Sequence, residues 1–459
     1  MPEPFKTAIT ELVAQTVHEA YRSLPRNGKP IIRDDGRAEF TILAGFVLVN
    51  TASQDDNLLT ICPSLATGMR CLPREKLPMN GDLLHDSHAE VLARRGLRYW
   101  LYDEVTRCST SWLRRVPGRK ALFALQESVK LFLYVSTLPC GDASMLLTTE
   151  KVVTGTRWDE RTEETLGRRK FSHEYQQSIS ATLGTAQVAR GRLGFDQPAG
   201  TLRTKPGRID SLPSTSHSCA DKLALWNVLG LQGALGSTIL EPIRVSGYVF
   251  GAPGLPPHLD LHNLHTDLVR ALVGRVELHI PKGCSSPTIW FTDLEFEFSQ
   301  TSILRSNSQD RVVSAVNGLS YVHGYTAEVL DRHGSRQGAP TKRRSPGAPL
   351  STKSRSRISK LELYRKHVET LNSLGLILAD TTNSYYHSKH PQKIVDSQPI
   401  SDKPEQGVIA YQKMKSCLRA LPRSTFYGWI VHGLPWESFD IEGQIKVKES
   451  CDGHEDVMC

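Results

Sequence analysis

The sequence predicts a layered α/β fold, in which helices cover a central sheet. Residues 131–138 form an almost uninterrupted apolar run, which is typical of a strand that is buried on both faces. Residues 40–49 are also apolar and β-rich, and 58–62 are a candidate for their hairpin partner. Helix-forming patterns at 88–105 and 221–235 follow strand patterns along the chain, and this order is typical of an α/β core.

The rest of the chain supplies further elements. Apolar residues recur at helical spacing over 5–23, which predicts an amphipathic helix ahead of the first strand. In the second half, 276–280 and 312–316 are candidates for short strands, whereas 360–374 and 408–420 are candidates for helices. The sequence contains no internal repeats.

Composition limits the possible classes of protein. The chain has 459 residues, of which 39% are hydrophobic, so it is not a disordered chain and is long enough for a large buried core. No run approaches the roughly 18 apolar residues of a membrane helix. Nine cysteines without a repeated short spacing favour a reducing compartment, so we expect the cytoplasm, the nucleus or both. A net charge of +8 favours an acidic partner such as nucleic acid.

The positive charge is concentrated in one segment. Residues 331–360 contain nine Lys or Arg and one acidic residue, Asp331, so this segment alone carries the excess of +8. Its Ser, Gly and Pro content cannot supply a packed core, which predicts a flexible basic insertion over 331–359. Residues 151–200 are polar and irregular, and they predict a second insertion on the surface.

A histidine and a glutamate in the pattern H-x-E are the first residues that suggest chemistry. In zinc deaminases the histidine of this pattern binds the metal, and the glutamate transfers protons without binding the metal. His88 and Glu90 have this spacing at the start of a predicted helix. The pattern is weak by itself, because His367 and Glu369 repeat it elsewhere in the chain.

Two cysteines lie near the starts of predicted helices. Cys140 follows Pro139 at the end of the buried strand, and Cys219 comes shortly before the helical pattern 221–235. A thiolate is stabilised at a helix N-terminus by unpaired N–H groups and by the helix dipole. Either cysteine alone could be a buried structural residue. Together with His88 they complete the ligand count of a catalytic zinc site that keeps a fourth position for water.

The order of these motifs resembles the eukaryotic adenosine deaminases that act on RNA, and most of all their tRNA-specific branch. That branch converts the adenosine immediately 3′ of the anticodon in tRNA-Ala to inosine. The resemblance extends over nearly the whole chain and rests on these landmarks: TGMRC at 67–71, HDSHAE at 85–90, ARR at 93–95, LPCG at 138–141, LRTKPGR at 202–208, SCADK at 218–222, GLQGAL at 230–235 and, more loosely, AYQ at 410–412, Lys415 and GW at 428–429.

The resemblance implies a cytidine-deaminase-like, three-layer α-β-α core with a large C-terminal elaboration around a buried polyanion site. It implies a single deaminase domain over 1–459, with its core at about 38–250 and the elaboration at 251–459. Few residues precede the landmark at 67–71, too few for the double-stranded-RNA-binding modules of the messenger-editing relatives. We therefore expect a tRNA partner, contacted at its anticodon stem-loop, and no membrane or DNA partner. The sequence does not determine the oligomeric state, and a monomer is compatible with it.

The resemblance also implies a mechanism. Zn²⁺ held by His88, Cys140 and Cys219 lowers the pKa of a bound water toward about 7, which makes hydroxide available for attack on C6 of adenine. Glu90 takes the water proton, delivers it to N1 and then protonates the departing amino group, so that inosine and ammonia form. Asp86 is either a partner that orients the metal ligands or a helix cap.

A second ligand implied by the resemblance is inositol hexakisphosphate, which relatives bury inside the domain. Such a polyanion needs several converging cations. Three positions depart from the family's pattern, namely His85, Leu225 and Tyr321. The positions that match the family's binding residues are Arg94, Arg95, Lys222, Lys360, Tyr385, Lys389, Tyr411, Lys415 and Trp429.

Contacts to RNA are expected from a basic turn that includes Lys205 and Arg208. These residues lie where editing relatives carry a glutamate that fills the space left by a flipped base. An adenosine in an anticodon loop is not in a duplex, so such a wedge is less needed. The turn could also be solvated without touching RNA. We predict RNA contacts for both residues and for Arg70 and Arg203.

The sequence leaves other functions open. The protein could be a messenger-RNA-editing deaminase, a free-nucleoside deaminase, or a non-catalytic RNA-binding protein with a deaminase fold. The missing RNA-binding modules argue against the first, the large elaborated chain against the second, and the intact zinc ligands with Glu90 against the third. The segment 331–360 could be a nuclear-localisation or RNA-steering loop, or a solvated insertion with no specific role.

Overall fold

The computed structural model describes residues 3–52, 58–119, 121–147, 188–190, 197–206, 211–255, 259–306, 312–376, 384–391, 405–421 and 424–446. The insertion predicted at 151–200 lies mostly outside them. Within these residues, no helix combines the length and the apolar character that crossing a membrane requires.

Groups of strands lie between helices along the first half of the chain. In chain order the strands are β1 Ala38–Phe40, β2 Leu43–Asn50, β3 Leu59–Thr67, β4 Met69–Cys71, β5 Asp86–His88, β6 Leu113–Arg115, β7 Phe123–Leu125, β8 Val129–Val135, β9 Val188–Arg190, β10 Leu202–Thr204, β11 Gly247–Gly251, β12 Thr288–Thr292, β13 Val312–Ser314, β14 Gly318–Val322 and β15 Glu328–Leu330. The α-helices are α1 Glu3–Ser23, α2 Ala89–Thr106, α3 Cys219–Leu229, α4 Gly233–Gly236, α5 Leu261–Leu272, α6 Gln300–Ser306, α7 Lys360–Ser373, α8 Tyr385–Lys389 and α9 Glu405–Ala420.

The central sheet has seven strands in the order β12-β11-β8-β2-β3-β14-β15. β8 runs parallel to β11 and antiparallel to β2, and β2 pairs antiparallel with β3 as the hairpin prediction required. Every residue of β8 except Lys130 is buried, which explains the almost uninterrupted apolar run in the sequence. The carboxyl end of this interior strand leads directly to Pro139 and Cys140.

Helices cover both faces of the sheet. On one face, Val13, Val17 and Tyr21 of α1 join Val47 of β2 in one apolar cluster. Gly45 allows this close packing, since a Cβ at that position would lie 2.6 Å from Val17 Cγ1. Helices α2 and α3 contribute to the apolar cluster on the opposite face. The predicted three-layer α-β-α arrangement is thus confirmed.

Two predicted elements differ from the structure. The strand predicted at 276–280 is wrong, because this stretch belongs to the 3-10 helix Gly274–His279. A strand would place alternate residues on one buried face, whereas Val276 is the single buried residue of this helix. The helix predicted over 221–235 is two helices, α3 and α4, because Gly230 takes a positive φ of 81° and ends α3.

The basic segment 331–360 packs against the rest of the domain, and the prediction of a flexible insertion without a core is wrong. Ser354, Ser356 and Ile358 are fully buried. Composition misled because polar groups of the segment find partners on other elements: the Ser356 hydroxyl donates to Glu328 Oε2 at 2.6 Å. A segment with few apolar residues can therefore be held by hydrogen bonds and ion pairs.

Candidate active site

Three segments bring the predicted zinc ligands together at one edge of the sheet. Cys140 follows the carboxyl end of β8, and His88 ends β5 and is the N-cap residue of α2. Cys219 is the first residue of α3, whose N-cap Ser218 accepts a hydrogen bond from the Asp221 backbone N–H. Two helices thus begin at this place, and their N-terminal dipoles favour negatively charged sulfur.

The ligand atoms have the spacing of a metal site. Those of His88, Cys140 and Cys219 all lie within 4.8 Å of one another. His88 Nδ1 is 3.7 Å from Cys140 Sγ and 3.6 Å from Cys219 Sγ. A hydrogen bond from Cys219, together with the positive charge of Lys205, lowers the pKa of Cys140 well below its usual value. Burial and the neighbouring Cys140 raise the pKa of Cys219, so in the absence of metal the two sulfur atoms share one negative charge. One histidine and two cysteines fit zinc, with one coordination position left for water.

Gly141 makes the approach of the two cysteine segments possible. A Cβ at Gly141 would lie 2.2 Å from Ser218 Oγ, so any other residue would push the segments apart. Its φ of 102° also bends the chain, and the helix predicted near Cys140 instead starts as a 3-10 turn at Asp142–Ser144.

Glu90 lies in the first turn of α2, beside the three ligands. It is 1% exposed, and its Oε2 has no hydrogen-bond partner among the described residues. Burial raises the pKa of Glu90, and the negative charge of Cys140 acts in the same direction. A buried carboxylate oxygen without a partner is rare in folded proteins, and it fits a group that exchanges protons with a bound ligand.

Asp86 is the centre of a buried polar network next to the metal ligands. Its Oδ1 accepts a hydrogen bond from the His88 backbone N–H, and its Oδ2 accepts from Lys205 Nζ at 2.8 Å, from Ser216 Oγ at 2.5 Å and from Lys222 Nζ. Burial alone would raise the pKa of Asp86, but the charges of Lys205 and Lys222 hold it well below its usual value. Asp86 therefore orients the ligand segments and is not a cap of α2, whose N-cap residue makes no side-chain capping bond.

The predicted RNA contacts of Lys205 and Arg203 are wrong. Lys205 is 2% exposed and Arg203 is 1% exposed, so neither side chain reaches the surface. Lys205 Nζ lies 3.1 Å from Cys219 Sγ in addition to its ion pair with Asp86. Burial lowers the pKa of Lys205, but the negative charge of Asp86 outweighs this effect and raises the pKa well above its usual value. Lys205 is thus part of the support of the metal site.

The other two predicted RNA contacts stay predictions. Arg70 is partly exposed on β4, and its Nε donates to the Ala315 carbonyl at 3.3 Å. It pairs in register with Ser87, the residue before the histidine ligand, so it lies close to the metal site. Arg208 is outside the described residues.

A second group of partly buried side chains, the cation cluster, connects α2 with the C-terminal helices. Burial lowers the pKa values of Arg94, Arg95 and Arg419 to about 10 and that of Lys360 to about 8. Burial lowers the pKa of Lys415, and the positive charges of Arg419 and Lys389 lower it further. The members of the cluster are Arg94, Arg95, Arg98, Lys360, Lys389, Lys415 and Arg419.

The cation cluster has too few anions of its own. Among the described residues, Glu437 is the one carboxylate within 4.0 Å of the cluster, where it pairs with Lys389 and Lys360. Nε atoms of Arg94 and Arg98 are buried without a hydrogen-bond partner in the same part of the chain. Unpaired buried positive charge is costly, so this arrangement fits a compact polyanion bound among the cations.

Most of the predicted polyanion residues belong to this region. Leu225 departs from the family's pattern because it packs in an apolar cluster next to Tyr411 and Trp429. Lys222 bonds to Asp86 and so joins the polar network of the metal site. The predicted aromatic residues lie against cations: Lys389 Nζ is 5.1 Å from the centre of the Tyr385 ring, Lys415 Nζ is 5.9 Å from that of Tyr411, and Arg419 Cζ is 5.1 Å from that of Trp429.

Sequence reasoning missed two arginines and a carboxylate of the cluster. Arg98 lies one helical turn after Arg94, and Arg419 lies one turn after Lys415. Residues four apart share one face of a helix, so this spacing was a usable signal. No local pattern pointed to Glu437, which follows the short 3-10 helix Leu434–Trp436.

The region that contains both sites matches a known family. Residues 64–432 match the adenosine-deaminase (editase) domain. The chain belongs to this family. The editase match includes His88, Glu90, both cysteines and the whole cation cluster, and it confirms the family and the fold predicted from the sequence motifs.

Relatives of this editase-domain chain are found across eukaryotes. The tRNA-specific adenosine deaminase 1 of Schizosaccharomyces pombe is 35% identical over 244 residues, which cover 52% of this chain and 56% of the relative. The protein of that name from Homo sapiens is 27% identical over 522 aligned residues, covering 91% of this chain and 97% of the relative. The double-stranded RNA-specific editase Adar of Drosophila melanogaster is 29% identical over 246 residues, covering 52% of this chain and 32% of the relative.

Proposed function

We propose that the protein is a zinc-dependent deaminase that converts adenosine to inosine in tRNA, at the adenosine immediately 3′ of the anticodon of tRNA-Ala. The main observation in support of this reaction is that the ligand atoms of His88, Cys140 and Cys219 lie within 4.8 Å of one another, beside the buried Glu90. The tRNA substrate is supported by the relatives named tRNA-specific adenosine deaminase 1, one of which is matched over 97% of its length. The position in tRNA-Ala is supported by the motifs that resemble the tRNA-specific branch.

Each residue of the site has a separate role in the hydrolysis. Zinc held by His88, Cys140 and Cys219 would lower the pKa of a water molecule, so that hydroxide is available near neutral pH. Glu90, whose Oε2 is free to bond, accepts the water proton and delivers it to N1 of adenine. It then takes the proton of the hydroxyl group added to C6 and passes it to the departing amino group, so that adenosine and water give inosine and ammonia. Asp86 holds the histidine segment in place through the His88 backbone N–H.

Purified protein is expected to form inosine in total tRNA, and only while it holds zinc. Sequencing of the treated tRNA would show the converted adenosine as guanosine, and metal analysis would give about one zinc per chain. Removal of zinc with a chelator should abolish conversion, and added Zn²⁺ should restore it. Parallel reactions with duplex messenger RNA and with free adenosine test the two other deaminase functions. Conversion of either of these but not of tRNA would contradict the proposal.

We also propose that the cation cluster binds inositol hexakisphosphate. The support is seven partly buried cations with one carboxylate partner among the described residues, and three aromatic rings against them. A ligand with many phosphate groups would supply the missing negative charge and accept hydrogen bonds from the unpaired arginine atoms. Because the ligand would lie inside the C-terminal elaboration, its binding would stabilise the folded chain.

Acid extraction of the purified active protein is therefore expected to release about one inositol hexakisphosphate per chain, as measured by mass spectrometry. An Arg98→Met variant removes one partly buried cation of the cluster and should release less of the ligand. A Lys130→Met variant is the matched control, since Lys130 is the exposed residue of β8 and should leave the ligand content unchanged. An active protein that releases no inositol phosphate would contradict this assignment.

A further inference from the structure

The nine cations of the segment 331–360 divide into two groups according to their partners. Five pair with carboxylates outside the segment: Arg343 with Asp82, Arg336 and Arg357 with Glu328, Arg355 with Glu362, and Lys360 with Glu437. The other four are exposed, and no carboxylate in the described part of the chain lies within ion-pair distance of them. These exposed cations are Arg332, Lys342, Arg344 and Lys353.

One of these ion pairs and two hydrogen bonds from backbone N–H groups fasten the segment to the loop that leads into the active site. Arg343 makes a bidentate contact with Asp82, with Nη1 at 2.7 Å from Oδ2 and Nη2 at 3.2 Å from Oδ1. The Leu350 backbone N–H donates to the same buried carboxylate at 2.7 Å. The Leu84 backbone N–H donates to the Gly334 carbonyl at 2.9 Å. Asp82 and Leu84 shortly precede β5, the strand that carries the histidine ligand.

The same contacts argue against reading the segment as a nuclear-localisation signal. Lys342, Arg343 and Arg344 form a basic run in the sequence. The central member of this run is held by the fully buried Asp82. Presenting the run as an extended peptide would require this pair to break and would leave a buried carboxylate without its partner, which is costly. The run is therefore suited to recognition as part of a folded surface.

We propose that the segment 331–360 is a fixed basic surface that binds the phosphate backbone of the tRNA beside the active site. The proposal rests on the proposed function, because it takes the substrate RNA as its partner. Phosphates are recognised by exposed lysine and arginine side chains, and such contacts position the nucleic acid without reading its bases. The five paired cations hold the surface in place, and the four exposed cations are available to the backbone of an RNA whose adenosine enters the neighbouring site.

The test compares two double variants of the full chain that remove the same amount of charge. Lys342→Ala/Arg344→Ala removes two exposed cations of the basic surface. Lys130→Ala/Lys282→Ala removes two exposed lysines elsewhere; Lys130 lies on β8 at the end away from Cys140, and Lys282 shortly precedes β12, the strand beyond β11 in the sheet. For each zinc-loaded protein, the salt dependence of tRNA binding, the KM for tRNA and the single-turnover rate at saturating tRNA are measured.

The basic-surface variant is expected to raise KM about tenfold and to reduce the slope of log Kd against log salt by about 1–2, because each lost phosphate contact removes about one released counterion. Its single-turnover rate at saturating tRNA and its melting temperature should equal those of the control variant. Equal KM values and equal salt slopes for the two variants would overturn the proposal while leaving tRNA deamination intact. A wild-type protein that forms no inosine in tRNA would instead overturn the proposed function, and this proposal with it.

Discussion

The Glu90→Gln variant is expected to keep about one zinc per chain and to lose at least about 10³-fold in the rate of inosine formation, since general acid–base catalysis contributes about 10²–10⁴. The amide has the size of the carboxylate and can fill the same buried position in α2. It cannot take up the water proton, so neither N1 of adenine nor the leaving amino group would be protonated. Single-turnover assays on tRNA and metal analysis of the same preparation measure the two properties.

The second H-x-E motif supplies a matched control. Glu369 has a side chain that is 61% exposed and pairs with Lys366, three residues earlier on α7. Lys366 is buried but keeps its pair with Asp103, and an exposed carboxylate contributes little to stability. Glu369→Gln should therefore have wild-type activity and wild-type zinc content. If Glu90→Gln formed inosine within tenfold of the wild-type rate, Glu90 would not be the proton-transfer group.

A Lys205→Met variant should lower zinc affinity by about 10–100-fold, because residues that support metal ligands typically have effects of this size. It should also lower the free energy of unfolding by about 3–5 kcal/mol, the usual cost of removing one partner of a buried ion pair. Lys205 Nζ is 2.8 Å from Asp86 Oδ2 and 3.1 Å from Cys219 Sγ. Competition with a metal chelator and urea unfolding measure the two effects.

Affinity for tRNA distinguishes support of the metal site by Lys205 from the RNA contact that the sequence predicts for this residue. Since Lys205 is buried, binding of tRNA to the folded variant should be unchanged, as it should be for Lys130→Met at an exposed site of β8. A variant with normal zinc affinity and weakened tRNA binding would show that Lys205 acts on RNA after all.

The ligands of the metal site could be found in the sequence because each occupies a recognisable place in a local element. His88 precedes a helix in an H-x-E pattern, and Cys140 follows the most apolar strand and a proline. Cys219 begins a helix whose cap is the preceding serine. Motif spacing and the periodicity of strands and helices are properties of short stretches of chain, so they can be read without knowledge of distant contacts.

The partners of charged side chains could not be found in this way. Lys205 and Asp86 are 119 residues apart in the chain, and their pairing depends on how β10 and β5 are brought together. From the sequence alone, Lys205 belonged to an exposed basic turn. The cation cluster shows an intermediate case, since helical spacing indicates Arg98 and Arg419 but not the anion Glu437.

The sequence by itself determined the interior strand, the helices that flank it and the residues that can hold zinc and transfer protons, because apolar periodicity and motif spacing act over short distances. The tertiary structure decided which cations are buried, which are exposed and what each one pairs with. In the segment 331–360, composition predicts one uniformly solvated basic loop, whereas five of nine cations are neutralised by carboxylates elsewhere in the chain. The free energy of a charge depends on its surroundings in three dimensions, and those surroundings come from segments that are distant in sequence.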